Sequence, residues 1–305
     1  MSAAGPRDRL ALNTLLGSYA GTRALRAGEI DSPLLDLRIA DFKVSNRAFP
    51  RVVNTREFAV AELALVTFFQ ARAHGRPLVL MPAVIGAGRH QHQCLVYNAE
   101  RGRVTVSDLD GKRVAIRAHS QTTVTWVRGI LAADYGVDLD RVHWVTMEGA
   151  HLDAFQDPPG IERADGRKPL ADLLLDGDVD AAIIGSGMPD DPRLQPVIEH
   201  PLEAARAWSE RHGAVSINHM VALDAELAAR RPDVVLELWR LLVESKRRAA
   251  AAPDARPGPD LTPFGVEANR RSLALLLDYA GRQGLLPRPL SVDDLFDDTT
   301  RALVA

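Results

Sequence analysis

The stretch Leu109–Tyr135, LDGKRVAIRAHSQTTVTWVRGILAADY, indicates how this chain folds, because it reads as a short strand, a polar loop and then a long helix. Val114–Ile116 supply the strand, while Trp126, Ile130 and Leu131 recur at helical spacing and predict one buried helix face. The polar run at the expected helix start consists of His119, Ser120, Gln121, Thr122 and Thr123.

This polar run has two interpretations. Hydroxyl and amide side chains at a helix start can accept hydrogen bonds from first-turn N–H groups that otherwise have no partner. Alternatively, the amino end of the helix, with its partial positive charge, stays open and binds an anionic ligand. The stretch alone leaves both readings open.

Strand and helix patterns alternate along most of the chain. This order predicts an α/β fold with a largely parallel sheet, in which ligands bind beyond the carboxyl ends of the strands. A length of 305 residues is sufficient for two lobes. The predicted strands cover 9–16, 35–39, 58–61, 78–85, 93–97, 114–116, 142–146, 180–184 and 215–223, and the polar, proline-containing stretch 149–168 is predicted to be a loop.

The composition narrows the set of partners. The chain has 37 Lys and Arg residues against 40 Asp and Glu, and no segment gathers the basic residues into a stripe, so nucleic acid is not an expected partner. No run approaches the 18 apolar residues of a membrane span, so no membrane partner is expected. A single cysteine, Cys94, and an amino terminus unlike a secretory signal predict a cytoplasmic protein.

Charged groups at predicted strand ends are the first candidates for ligand binding. Arg23 and Arg89 lie in such loops and could bind a carboxylate through paired N–H bonds, or could be surface charges. Tyr19, in the turn before Arg23, is a further substrate-binding candidate. Glu62 follows a short apolar strand, so we expect partial burial and a raised pKa, with capping of the next helix as the alternative.

Histidines supply the second group of candidates. His90, His92 and Cys94 alternate, which on a strand would place all three on one face, where they could offer ligands to a metal. The spacing is not a diagnostic zinc pattern, and a buried structural role is the alternative, so we expect no metal or other cofactor. His92 and His219 could instead act as proton donors, because imidazole titrates near neutral pH.

Several segments together resemble the 4,5-dihydroxyphthalate decarboxylase family. They follow the family's order over most of the chain, although Gln91 stands where the family tends to carry an arginine. The resembling segments are TRAL at 22–25, EFAVAEL at 57–63, HQCLVYN at 92–98, DLDGKRVAI at 108–116, TWVRGIL at 125–131, SINHMVAL at 216–223 and PFGVEANRRSL at 263–273.

The resemblance implies a two-lobed, type 2 periplasmic-binding-protein-like fold, in which each lobe is a mixed sheet flanked by helices and ligand binds in the cleft between them. It implies a first lobe of residues 1–99 and 213–305 and a second lobe of residues 100–212. It also implies that Arg23, Glu62 and His92 reach the cleft from the first lobe, the turn 120–123 reaches it from the second, and His219 lies near a crossover.

Two functions follow from these expectations. The first is decarboxylation of a hydroxylated aromatic acid, with Arg23 and the turn 120–123 binding carboxylates, His92 or Glu62 donating a proton and His219 bonding a ring hydroxyl. The second is a binding protein or sensor for a small organic anion, because the same clamp can bind anions without transforming them. The expected partner is a small aromatic carboxylate, and exposed helix faces near the carboxyl terminus are compatible with a homodimer.

Overall fold

A computed structural model describes residues 9–86, 90–255 and 258–304. Within these ranges the strands are β1 Leu10–Leu15, β2 Leu35–Ile39, β3 Val60–Ala64, β4 Leu78–Ile85, β5 Leu95–Asn98, β6 Arg113–Ile116, β7 His143–Thr146, β8 Glu162–Arg163, β9 Ala181–Ile183, β10 Leu194–Pro196 and β11 His219–Asp224. The α-helices are α1 Arg23–Arg26, α2 Phe49–Thr55, α3 Leu65–Ala73, α4 Thr122–Tyr135, α5 Leu170–Asp176, α6 Pro201–His212, α7 Ala225–Arg230, α8 Pro232–Ala250, α9 Val266–Arg282 and α10 Asp298–Arg301.

The first sheet has the strand order β2-β1-β3-β11-β4. β1 pairs in parallel with β2 and β3, whereas β11 runs antiparallel between β3 and β4. β3 and β4 are buried along their whole length, which agrees with the continuous apolar sequence of β4 and with β3 being apolar except at Glu62. A strand from late in the chain therefore completes the middle of a sheet begun by the first 85 residues.

The second sheet has the order β10-β5-β9-β6-β7-β8. β9, β6, β7 and β8 are parallel, β5 pairs antiparallel with β9, and the edge strand β10 pairs antiparallel with β5. Two mixed sheets with helices confirm the predicted α/β class, although the antiparallel strands make each sheet less parallel than expected. Because β5 already belongs to the second sheet, the chain crosses before Leu95, and the predicted lobe boundary at residue 99 falls after this crossing.

Local expectations failed at three places. Gln91–Cys94 is a turn of 3-10 helix rather than the start of a strand, so His90, His92 and Cys94 do not share a strand face. The returning strand begins at His219 rather than at residue 215. The predicted loop 149–168 contains a short edge strand, β8.

Helix α4 is held on several sides, which fixes the position of its amino end. All residues from Thr122 to Leu131 are buried. The Trp126 ring lies edge-on to Trp208 of α6 and Tyr279 of α9, each at 5.8 Å between ring centroids, and its Nε1 donates to the backbone oxygen of Ile217 at 2.8 Å. At Gly136, with φ of 69°, the chain turns left-handed and the helix ends.

No helix in the described ranges is both long enough and apolar enough to cross a bilayer.

We predict that Gly129→Ala destabilises the fold, because α9 packs directly on Gly129. A Cβ there would lie 2.1 Å from Cδ2 of Tyr279. The expected loss in free energy of unfolding is about 1–3 kcal/mol, measured by urea denaturation. Gly281→Ala in α9 is the matched control, because nothing lies within 4 Å of a Cβ at that position. Equal stabilities of the two variants would contradict the assigned helix contact.

Candidate functional site

A buried carboxylate lies at the centre of the first sheet. Glu62 of β3 is 0% exposed. Its oxygens accept three hydrogen bonds, each 2.6 Å long, from the Gly17 backbone N–H, from Tyr19 Oη and from His219 Nδ1. A buried carboxylate is costly unless donors surround it, and these three groups provide that compensation.

The approach of the backbone to Glu62 explains the glycine that follows β1. A Cβ at Gly17 would lie 2.6 Å from Oε2 of Glu62 and 2.5 Å from the Tyr19 ring. A larger residue would push the chain away from the carboxylate and remove the backbone donor. The close packing around Gly17 therefore fixes the position of the turn that carries Tyr19.

The pKa of Glu62 is opposite to the sequence expectation. Burial alone raises the pKa, but the hydrogen bond and charge of His219, with the hydrogen bonds from Tyr19 and Gly17, lower it by more. The pKa of Glu62 is therefore below the ordinary value of a glutamate, and the side chain is ionised at neutral pH. Glu62 accepts hydrogen bonds and is unsuited to donate a proton.

The ionised Glu62 also determines how His219 is protonated. A carboxylate only accepts hydrogen bonds, so the proton between the two residues is assigned to Nδ1 of His219. Nε2 is then the ring nitrogen that remains to serve a ligand, as an acceptor in the neutral ring or as a donor in the imidazolium. Glu62 therefore orients the ring through Nδ1.

His219 and Tyr19 border a narrow cleft of about 80 Å³. This volume is below the several hundred Å³ of most ligand pockets, so binding of an aromatic acid requires the cleft to widen. The lining residues come from both sheets and from the connections between them: Tyr19, Asn46, Phe49, Ala64, Thr67, Ile85, Gly86, Arg117, Gln121, Thr122, Thr123, His151, Ser186, Asn218 and His219.

The amino ends of two helices meet at this cleft. α3 begins at Leu65 and α4 at Thr122, and the Val66 N–H of α3 donates to Oγ1 of Thr122 at 3.1 Å. The residue before α4 is Gln121, whose side chain makes no capping hydrogen bond. Of the two readings of the polar run, the geometry therefore favours the open helix end, where partial positive charge attracts an anion.

Arg117 supplies a full positive charge on the same side. It directly follows β6 and forms an ion pair with Glu148, which also lies 3.7 Å from Nη1 of Arg47. Burial lowers the pKa of Arg117, while Glu148 opposes this effect. Among the described lining residues, Arg117 is the only lysine or arginine. It is thus the strongest candidate for contact with a ligand carboxylate.

A second histidine faces the cleft from the connection after β7. Nδ1 of His151 lies 2.9 Å from Oγ1 of Thr67. The Phe49 ring lies edge-on to both His151 and His219, with centroid distances of 5.4 and 5.5 Å. Burial and the charge of Arg117 lower the pKa of His151 to about 3, so this ring is neutral at physiological pH.

The structure brings several of the predicted site residues together. Those that line the cleft are Tyr19, Gln121, Thr122, Thr123 and His219, with Glu62 directly behind Tyr19 and His219. Ser120 is buried next to this group and does not line the cleft.

The remaining predicted residues lie elsewhere. The Arg23 side chain is 63% exposed and pairs with Asp254 at 3.3 Å. His92 packs edge-on to Trp208 with a centroid distance of 6.1 Å, and burial lowers its pKa to about 4. Neither lines the cleft. Arg89 lies outside the described residues.

Sequence reasoning missed Arg117 and His151. Arg117 could have been proposed from the sequence, because it directly follows a predicted strand and ligands are expected beyond the carboxyl ends of strands. His151 carried no such signal. Its loop is held by a first-lobe residue, Asn54, which donates to the His151 backbone oxygen at 2.9 Å and accepts from the Asp153 N–H at 3.1 Å.

In the part of the chain that the structure describes, no group of three or more His, Cys, Asp or Glu residues is arranged to hold a metal ion.

Solved structures with the same architecture include binding proteins and an enzyme. The alkanesulfonate-binding protein SsuA from Xanthomonas axonopodis pv. citri has a TM-score of 0.60 at 14% identity, covering 96% of this chain and 99% of its own. The desulfurization enzyme DSZB has a TM-score of 0.59 at 16% identity, covering 96% and 98%. The two-lobed, type 2 periplasmic-binding-protein-like fold is thereby confirmed.

Comparisons of the amino-acid sequence find similarity to one family model and to two named enzymes. The family model NMT1/THI5 like matches residues 36–157. The 4,5-dihydroxyphthalate decarboxylase of Comamonas testosteroni is 26% identical over 74% of this chain and 71% of its own length. The protein of the same name from Pseudomonas putida is 25% identical over 66% of this chain and 82% of its own. The resemblance to 4,5-dihydroxyphthalate decarboxylases is confirmed.

We predict that Glu62→Gln lowers the free energy of unfolding by about 1–3 kcal/mol at pH 7, because an amide cannot replace an acceptor of three donors. Because the pKa of Glu62 is lowered by folding, the ionised side chain stabilises the fold fully at pH values above the ordinary glutamate pKa of about 4.3. This contribution is lost as the pH falls through the pKa of Glu62 in the folded protein. Urea denaturation at several pH values should show the difference between wild type and variant shrinking in acid.

Glu210→Gln, at an exposed position on α6, is the control and should leave stability nearly unchanged at every pH. A Glu62→Gln effect of constant size from pH 7 into acid would contradict an ionised Glu62.

Proposed function

We propose that this protein catalyses the non-oxidative decarboxylation of a hydroxylated aromatic carboxylic acid. One observation carries the proposal: the cleft has His219, hydrogen-bonded to the buried Glu62, on one side and Arg117 with an open helix end on the other. The names of the two decarboxylase relatives support the same activity.

In this proposal the second-lobe side binds the carboxylates. Arg117 and the amino end of α4 contact them, because a guanidinium and free backbone N–H groups both suit carboxylate oxygens. The aromatic ring of the substrate packs against Phe49 and Ile85, which line the cleft. This assignment replaces Arg23 with Arg117 as the carboxylate-binding arginine.

The chemistry needs one proton and no external oxidant. A hydroxyl ortho or para to the carboxylate increases electron density at the carboxyl-bearing carbon, which accepts a proton to form a new C–H bond. The C–C bond to the carboxylate then breaks, carbon dioxide leaves, and the electron pair restores the aromatic ring. Nε2 of His219 donates the proton, while Glu62 stabilises the imidazolium through Nδ1.

His151 and Tyr19 have supporting roles. The neutral ring of His151 can hydrogen-bond a phenolic hydroxyl without adding positive charge. Tyr19 donates to Glu62 at 2.6 Å and so helps keep that carboxylate ionised. Both residues form part of the wall that excludes water from the reacting carbon.

Entry of substrate requires the lobes to move about the two chain crossings. These crossings are tied together by Gln91, whose Nε2 donates to the Ser216 backbone oxygen at 3.3 Å and to Oδ1 of Asn218 at 3.2 Å. The narrow cleft corresponds to a closed arrangement, and opening about this hinge would admit the ring.

We predict that one variant chiefly weakens substrate binding and that another chiefly slows the chemical step. Both are tested by measuring carbon dioxide release from a panel of hydroxybenzoates and hydroxyphthalates. Arg117→Gln removes a charge-assisted contact and should lower kcat/KM by about 10–100-fold, chiefly through KM. His219→Gln removes the proton donor and should lower kcat by about 100–10,000-fold with much of the affinity retained.

The matched controls are Arg23→Gln and His92→Gln, which change the same residue types outside the cleft. Both should retain wild-type kinetics. Loss of turnover in the controls, with normal rates in Arg117→Gln and His219→Gln, would overturn the assignment. Repeating the assay with a chelator tests the expectation that no metal takes part.

A binding protein without turnover is the second candidate, because the sulfonate-binding relatives share this fold. On this hypothesis a compound that is never consumed should raise Tm. Arg117→Gln should abolish the shift and His219→Gln should leave most of it. Consumption of the stabilising compound would exclude the second candidate.

The cytoplasmic location and the homodimer stay predictions, tested by cell fractionation and by measurement of molecular mass in solution.

A further inference from the structure

A second cavity, of about 460 Å³, lies beside α4 and shares no described lining residue with the cleft. Its polar wall includes His119 and Arg128, and Gln283 follows α9 at another side. Trp144 and Ile161 belong to its apolar wall. The cavity thus combines an apolar surface with a cationic side chain.

Arg128 is unusual because it is buried without a carboxylate partner. It is 2% exposed, and no Asp or Glu of the described residues lies within 4.0 Å of its guanidinium nitrogens. Nη2 donates to the His119 backbone oxygen at 2.6 Å, and Nη1 lies 2.9 Å from Nδ1 of the His119 ring. Its buried Nε has no hydrogen-bond partner among the described residues.

The surroundings leave this positive charge uncompensated. Asp157, the carboxylate that acts on Arg128 at longer range, is already bonded to Arg163 at 2.8 Å. The ring of His119 is buried, and burial lowers its pKa to about 3, so it is neutral. Burial lowers the pKa of Arg128 to about 9, which still leaves it charged at neutral pH. A buried charge without a counter-charge is costly, and an anionic ligand would remove that cost.

We propose that this cavity binds a small organic anion, with its carboxylate at Arg128 and its apolar body against Trp144 and Ile161. The guanidinium already lies 5.5 Å from the Trp144 ring centroid, so the charge and the apolar wall adjoin. Asp140 and Arg282, with opposite charges, also line the cavity. The site is independent of the proposed reaction, because its residues do not line the cleft.

The test uses full-length protein carrying Arg117→Gln, which removes the carboxylate-binding arginine of the cleft, and benzoate as the probe. Indole N–H resonances of the four tryptophans are followed by NMR. Trp144 Nε1 donates to the Leu139 backbone oxygen at 3.0 Å, so its resonance reports on the cavity wall. Benzoate should shift the Trp144 resonance saturably, with a dissociation constant below about 10 mM.

Two further changes in the same background identify the site. Arg128→Met removes the charge and should weaken benzoate binding by about tenfold or more. Ile161→Trp fills the cavity without altering Arg128, so the test does not depend on the stability of Arg128→Met. Arg113→Gln is the control, because this exposed arginine pairs with Glu162 outside the cavity and should leave affinity unchanged.

An unmoved Trp144 resonance, or unchanged benzoate affinity in Arg128→Met and Ile161→Trp, overturns the proposal. A response to inorganic phosphate or chloride but not to benzoate also overturns it, because the apolar wall would then have no role.

Discussion

The hydrogen bonding of one buried carboxylate organises the first lobe. Glu62 lies on a strand that is buried throughout, where an ionised group is tolerated only if donors surround it. Those donors come from the turn after β1 and from β11, so two segments that are distant in sequence must meet β3 within hydrogen-bonding distance. Gly17 allows the closest approach, since any Cβ would displace the backbone that donates. The same contacts orient His219, which lines the cleft.

The two sides of the cleft have complementary electrostatic roles. On one side an ionised glutamate accepts a hydrogen bond from His219, and on the other an arginine and helix amino ends present positive charge. A receptor for anions needs only the second arrangement, as the shared fold of sulfonate-binding proteins illustrates. The buried Glu62–His219 pair lies at the other side of the cleft, where His219 belongs to the lining. The same architecture therefore occurs in an enzyme and in binding proteins.

The sequence predicted the fold better than the site. Alternating strand and helix patterns gave the α/β class, and the apolar spacing after the polar run placed α4 correctly, because both signals are local. Glu62 was proposed because it followed a predicted strand, although it lies within β3, and His219 was proposed from its imidazole chemistry and from the family resemblance. His92 was misplaced because its alternation with Cys94 mimics a strand, whereas the chain there is turning between two sheets. His151 could not be found, since a hydrogen bond from Asn54, 97 residues earlier, holds its loop. The pKa of Glu62 also depended on donors that only tertiary structure supplies.

The placement of β11 between β3 and β4 affects how the molecule is made. The first four strands are synthesised early. β11, which pairs with both β3 and β4, begins only at His219, after all strands of the second sheet have been synthesised. Until then β4 and one edge of β3 have no pairing strand among those described, and unpaired strand edges favour aggregation of incompletely folded chains. The second lobe, whose strands lie between residues 95 and 196, can form its sheet before the sheet of the first lobe can be completed. All strands of the second sheet are therefore synthesised before the first sheet can be completed, and the cleft, whose lining includes His219, cannot form until β11 has been synthesised.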